Sequence, residues 1–245
     1  MNNADVDKEK LAKRIAIHEK HSEYEINDWI FEIVKIKDKD SVLDVGCGTG
    51  KQLIPISENT NGLVVGVDLS KESLDTISEK IDKPNVKLKH SSMENMYRKL
   101  KVFPKFDIII SCFAIYYSVN PEKTLLELKA LLKDDGRLFL CGPSINNNKE
   151  LLDLHSKITP LPKMHKGFFE NMAIKFLENN FKEVKTFHFQ NPITFPDVDT
   201  LTDYWLSYKI GDKNMVEKFK TEAMNVFRKG TFTSKKEVIG VLAFN

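Results

Sequence analysis

The sequence predicts a doubly wound α/β fold with a mostly parallel sheet and helical insertions late in the chain. Three observations carry that expectation. Runs at 41–45, 63–67, 86–88, 106–110 and 137–141 are short, almost wholly apolar and closed by glycine or polar residues, as strands buried on both faces are. Helical stretches separate most of them, and strand alternating with helix calls for a parallel sheet covered on both sides. After Cys141 the alternation stops, helical material dominates, and two strand patterns close the chain.

Each element has its own reason. Ile26, Trp29, Ile30, Ile33 and Val34 form one apolar stripe at helical spacing, so a helix precedes the first strand. Residues 51–57 read as the second helix, which Pro55 should shorten or kink by removing a backbone donor. Ser70 can cap a helix over 71–81, and Asn120 followed by Pro121 opens one over 121–132, where the missing N–H of proline costs nothing. Later, 148–158 and 165–179 look helical on either side of the breakers Pro160 and Pro162. Residues 184–189 alternate as an edge strand would, 200–208 and 215–228 are helical, and 237–244 reads as a final apolar strand.

Composition narrows the function classes. The chain of 245 residues is 41% hydrophobic and 29% charged, an ordinary globular balance that excludes wholesale disorder and fibrous folds. A net charge of +2 without a concentrated basic run argues against a dedicated nucleic-acid grip. Three widely spaced cysteines, Cys47, Cys112 and Cys141, fit neither a disulfide framework nor a metal knuckle, and point to a reducing cytoplasm. The polar N-terminus is unlike an export signal, and the apolar stretch 108–119 is too short to span a bilayer, so no membrane association is expected.

The sharpest motif is Val42-Leu43-Asp44-Val45-Gly46-Cys47-Gly48-Thr49-Gly50, an acid followed by three alternating glycines between a strand and a helix. Glycine there permits positive φ and lets backbone N–H groups approach a ligand closely. It is not a phosphate loop of the Walker type, because Val45 and Gln52 stand where Gly and Ser/Thr are needed. The dinucleotide fingerprint fails too: its third glycine would fall on Lys51, and Asp44 would set a carboxylate against a pyrophosphate. A ligand bearing positive charge fits better. Asp68, roughly twenty residues on at the end of the next strand, stands where a carboxylate takes both hydroxyls of a ribose.

Together VLDVGCGTG (42–50), GVDLS (66–70), FDIIISCFAIYY (106–117) and LKALLKDDGRLFLCGP (128–143) resemble the class I S-adenosylmethionine-dependent methyltransferases, particularly their small-molecule members. The likeness covers about residues 26–142. It implies a seven-stranded Rossmann-like methyltransferase sheet whose last strand is antiparallel, and S-adenosylmethionine as cofactor with S-adenosylhomocysteine as product. It places Asp44 and the backbone of Gly46 and Gly48 at the methionine end, with Gly50 also among the cofactor-binding residues, Asp68 on the ribose, Leu69 against adenine and Ser111 at the sulfonium end. The family's adenine-edge Asp is absent; Ser92 and the backbone of Met93 stand there. Asp134-Asp135-Gly136 replaces the usual Pro-Gly-Gly turn. One domain over 1–245 is expected: N-terminal helices (1–40), cofactor-binding core (41–142), helical caps (143–182 and 197–232) and a terminal strand pair (183–190 and 237–245).

The acceptor is harder to read. Ser111-Cys112-Phe113-Ala114 replaces the Asn/Asp-Pro-Pro-Tyr/Phe motif of enzymes that methylate exocyclic or amide nitrogens, which argues against nucleobase amines. Acceptor-side candidates are Tyr24 before the first core helix, Tyr116 and Tyr117 after the fourth strand, and His155 and His165 in the inserted helices. No metal ligands are identified. The expectation is methyl transfer to an oxygen or nitrogen of a small organic acceptor. The alternatives are an RNA methyltransferase, motivated by Lys83, Lys87 and Lys89, and a binding module that has lost transfer. Oligomeric state is not legible.

Overall fold

The computed structural model describes residues 8–161 and 167–245. In order these form α1 (Lys8–His21), α2 (Ile26–Val34), β1 (Val42–Val45), α3 (Leu53–Asn59), β2 (Val64–Asp68), α4 (Lys71–Ser78), β3 (Val86–His90) and α5 (Met93–Leu100). There follow β4 (Phe106–Cys112), α6 (Pro121–Leu131), β5 (Leu132–Pro143), α7 (Lys149–Ser156), α8 (Ile174–Asn180), β6 (Glu183–Phe195), α9 (Val198–Leu206), α10 (Val216–Phe227) and β7 (Phe232–Phe244). One seven-stranded sheet has the order β3-β2-β1-β4-β5-β7-β6. The first five strands are parallel, with Asp44 beside both Gly66 and Ile110, and the last strand is antiparallel. The order reverses at β1, which puts the switch point at the glycine loop, where ligands of such sheets bind.

The chain divides into two compact units. The sheet unit comprises 27–142, 167–188 and 239–245. Its core is mainly aliphatic: Leu43, Val45, Val65, Val67, Ile109, Leu138 and Leu140 on the strands meet Leu125, Leu128 and Leu177 from α6 and α8, with Phe106, Phe169 and Phe181 among them. Arg137 of β5 donates from Nε and Nη2 to the Val34 carbonyl at 3.1 and 3.0 Å, satisfying an orphan acceptor at the end of α2. The helical unit comprises the described parts of 1–26, 143–166 and 189–238, with a core of its own built on Trp205, Tyr204, Phe195, Phe219 and Leu201.

Several boundaries differ from expectation. Pro55 is the third residue of α3, in the first turn, where a backbone donor has no partner to lose, so the helix runs on to Asn59. Helix α5 was not expected, since its eight residues carry an apolar side of only Met93, Met96, Tyr97 and Leu100. Strand β5 begins at Leu132, five residues early. Phe106 pairs with Leu132 and Ile108 with Arg137, so Lys133–Gly136, including the expected turn, are extruded within it. Segment 167–182, expected in a cap, belongs to the sheet unit, because Phe169, Ala173 and Leu177 enter its core. Strands β6 and β7 are 13 residues each, longer than their alternating segments suggested.

Candidate functional site

The site is built at the carboxyl ends of the parallel strands, beginning where β1 stops. Gly46, Gly48 and Gly50 all have positive φ, at 76°, 52° and 90°. A Cβ on Gly46 would lie 2.2 Å from the Ala114 Cβ, so the chain leaving β4 is pressed onto the loop and only glycine fits. The Gly46 and Cys47 N–H groups donate to the Val67 carbonyl at 2.7 and 3.1 Å, fastening the loop to the end of β2.

Asp68 completes the cradle. Its Oδ2 accepts the Gly48 N–H and its Oδ1 the Ser70 N–H, both at 2.8 Å, which fixes the carboxylate. Each oxygen keeps acceptor capacity for a ligand hydroxyl. Asp44, the last acidic side chain of β1, is 1% exposed, and its Oδ2 has no hydrogen-bond partner among the described residues. Burial, reinforced by the charge of Asp68, pushes its carboxyl up to about 8. An orphaned, reluctant anion beneath an open backbone loop suits a cationic ligand, whose charge would compensate it. Cys47, inside the loop, is held as a neutral thiol first by burial and then by Asp44 and Asp68, which leaves it no nucleophilic role.

Leu69 follows Asp68 and is 53% exposed, an apolar surface at the rim. His90, which the sequence reading passed over, holds that rim: its Nε2 lies 2.8 Å from the Leu69 carbonyl. The Ser91 N–H donates to the Asp68 carbonyl, and the buried Ser91 hydroxyl lacks a partner among the described residues. That hydroxyl is one position before the Ser92 expected there. Ser92 is the half-buried cap residue of α5, with its Oγ accepting from Asn95 at 3.2 Å. The Met93 methyl carbon lies 3.6 Å from the position of a Gly46 Cβ, so Met93 reaches the glycine loop.

After β4 the backbone turns sharply, with Phe113 in the left-handed region at φ 57°. Such strain in a bulky residue needs the surrounding structure to impose it. Glu94 of α5 holds the return, accepting the Val119 N–H at 3.0 Å and facing the Ser118 hydroxyl at 3.4 Å. Partial burial raises its carboxyl, but these bonds outweigh it and leave the group below its ordinary range. Nothing in the sequence marked Glu94 or Ala114 for these roles, because they are contacts between distant segments.

The other expected residues divide clearly. Ser111 is fully buried and spends its hydroxyl on the Val45 carbonyl at 2.9 Å, which ties β4 to β1 and makes it a positioning residue. Tyr116 is half-buried, its ring 4.7 Å from Tyr117 and 6.2 Å from Phe168, while Tyr117 is 44% exposed. Tyr24 and His155 belong to the helical unit. Tyr24 is exposed, with its backbone bonded to the Asn191 side chain. His155 is 2% exposed, accepts the Trp205 indole N–H at 3.1 Å, and is pushed below the ordinary imidazole range by burial. It is a core histidine, not an available base. His165 lies outside the described residues. Among the described residues no group of three or more His, Cys, Asp and Glu could hold a metal ion, and no helix is long and apolar enough to cross a membrane.

Sheet order, glycine cradle and paired acids define the Rossmann-like methyltransferase class. The chain matches the family described as Methyltransferase domain over residues 36–229. A protein of Methanocaldococcus jannaschii, described as uncharacterized, is 32% identical over 162 residues, 62% of this chain and 60% of its own length. The malonyl-[acyl-carrier protein] O-methyltransferase of Halalkalibacterium halodurans is 28% identical over 101 residues, 40% of this chain and 37% of its own. The matched regions thus span less than two thirds of either relative. The YcgJ protein of Bacillus subtilis shares the fold with a TM-score of 0.62 at 16% identity, over 89% of this chain and 97% of its own. The chain belongs to the methyltransferase-domain family, among the class I S-adenosylmethionine-dependent methyltransferases.

Proposed function

We propose that the protein transfers a methyl group from S-adenosylmethionine to an oxygen or nitrogen of a small organic acceptor. The observation that carries the reading is the Asp44 carboxylate, buried and unpartnered among the described residues, behind a glycine loop whose neighbour Asp68 keeps lone pairs to offer. When bound, the cofactor supplies an electrophilic methyl group on a good leaving group. This chain's residues then have a modest task. Asp44 favours the cationic methionine end, and the loop leaves room for it at Gly48, where a Cβ would meet nothing within 4 Å, while Gly46 and Gly50 let the loop pack against Ala114 and against Ile54 and Ile77. Asp68 takes the ribose hydroxyls, Leu69 covers adenine, and Ser92 and Met93 stand at the adenine edge with the Ser91 hydroxyl beside them. Orientation and exclusion of water can contribute about 7–11 kcal/mol to such a displacement.

Two curated relatives carry O-methyltransferase names, one from Halalkalibacterium halodurans and one from ubiquinone biosynthesis in Coxiella burnetii, which supports an oxygen acceptor. Lys87 and Lys89, which motivated an RNA reading, lie on the edge strand β3, where lysine guards against sheet-to-sheet pairing. Tyr116 and Tyr117 stay as acceptor-side candidates. A cytoplasmic setting fits the three buried, unpaired thiols.

Calorimetric titration with S-adenosylhomocysteine tests the reading. Asp68→Ala is expected to weaken binding roughly 10–100-fold, the loss of hydrogen bonds to a charged acceptor. No binding by the intact chain, or equal binding by Asp68→Ala, refutes it.

A further inference from the structure

The helical unit contains a polar cluster that the cofactor reading does not use. Tyr204 is fully buried, and its hydroxyl lies 3.0 Å from His18 Nε2, 2.9 Å from the Tyr208 hydroxyl and 3.3 Å from Asn148 Oδ1. The Asn148 Nδ2 donates to the Tyr208 hydroxyl at 2.7 Å. Asn148 is itself buried, in the left-handed conformation at φ 54°. The guanidinium of Arg14 lies 4.5 Å over the Tyr208 ring. Three separate stretches of chain, α1, the residue before α7 and the end of α9, therefore meet at two phenols.

The charge balance is what makes the cluster more than a clamp. Arg14 is half-buried, yet among the described residues no carboxylate stands within ion-pair distance of it. The carboxylate nearest in sequence to the tyrosines, Asp203, is taken by Lys13 at 3.0 Å. Glu150 is engaged by the Lys235 N–H at 3.0 Å. A partly desolvated guanidinium offers five donors in a planar fork, and leaving them uncompensated is costly. Stacking on Tyr208 covers one face of the fork and a hydrogen bond to the Tyr208 side chain takes part of its edge, which leaves the remaining donors to bind. Burial holds both phenols above their ordinary range, so they stay neutral donors.

We propose that Arg14, with Tyr208 and His18 beside it, forms a binding site for a small organic carboxylate, a site that stands on the helical unit alone. A carboxylate matches the fork of arginine with two parallel bonds, which lysine cannot reproduce.

The test is a calorimetric titration of the full chain, saturated with S-adenosylhomocysteine, using acetate and benzoate as probes and inorganic phosphate in a parallel arm. Carboxylate binding is expected, weakened at least about tenfold by Arg14→Gln and partly restored by Arg14→Lys. Unchanged melting of Arg14→Gln and unchanged S-adenosylhomocysteine affinity would separate ligand binding from a merely structural role. Absence of carboxylate binding, equal binding by Arg14→Gln, or preference for phosphate overturns the site. Failure of S-adenosylhomocysteine to bind sinks the cofactor reading instead, while the carboxylate arm, run without it, still decides the site.

Discussion

The two units of this molecule solve the problem of a core in different ways. In the sheet unit, β1, β2 and β4 carry Leu43, Val45, Val65, Val67 and Ile109 into an aliphatic interior, and its polar work is done by loops at the strand ends. In the helical unit the core is aromatic and polar together. Trp205 stacks on Phe219 at 4.2 Å and 5° between planes, with His155 against the indole and Asn148 among the tyrosines. An aliphatic core resists deformation without specifying any bonding partner, which suits a platform for a cofactor shared across a family. A hydrogen-bonded aromatic core must satisfy every member, and it specifies geometry at individual atoms.

The contrast can be broken most directly at Trp205. Trp205→Ala removes the stacked ring and strands the His155 nitrogen, so a loss of about 3–5 kcal/mol is expected in denaturant unfolding. S-adenosylhomocysteine affinity measured on the folded variant should change less than about twofold, because the cradle residues all lie in the sheet unit. A large loss of affinity would show that the two cores are not energetically separate.

Asp44 sharpens the same comparison through pH. Its carboxyl titrates near 3.8 when exposed and about 8 in the fold, pushed up by burial and then by Asp68. Between those values the folded chain keeps a proton that the unfolded chain releases, so stability should fall as pH rises from about 4 to about 8 and level off above. Asp44→Asn removes that slope. At pH 8 it should be more stable than wild type by roughly 5 kcal/mol, at pH 4 hardly different, with weaker S-adenosylmethionine binding. Thermal melts across that range decide the matter, and a slope surviving in Asp44→Asn would assign it elsewhere.

The smallest effect is expected at Ser70, whose hydroxyl accepts the Ser73 N–H at 3.2 Å and caps α4. Ser70→Ala should cost about 1 kcal/mol, and should leave the Asp68 carboxylate in place, since that contact uses the Ser70 backbone. A melting shift of about 2–4 °C with unchanged cofactor affinity is the expected result.

Legibility followed the range of the interaction. The glycine loop and Asp68 were readable because backbone conformation and strand-end position are written in a few adjacent residues. Asn120 and Pro121 marked the start of α6 for the same reason, and Asn120 does cap it. The position of Ser111 near the end of β4 was visible, but the Val45 carbonyl that takes its hydroxyl was not. His155 looked like a base in an inserted helix, and only the indole of Trp205, fifty residues away, shows it to be a core group. Ser91 and Ser92 could not be told apart by sequence, since a shift of one residue reverses which hydroxyl is buried.

By itself the sequence determined the parallel strand and helix order, the positive-φ loop and the acid at the second strand end. These depend on local hydrophobic periodicity and on the one residue type without a Cβ. The tertiary structure alone decided that Ala114 presses on Gly46, that Asp44 is sealed from water, and that Arg14, Tyr208, Tyr204, His18 and Asn148 meet. Desolvation and hydrogen bonding between distant segments arise only once the chain has closed, so no window of adjacent residues can carry them.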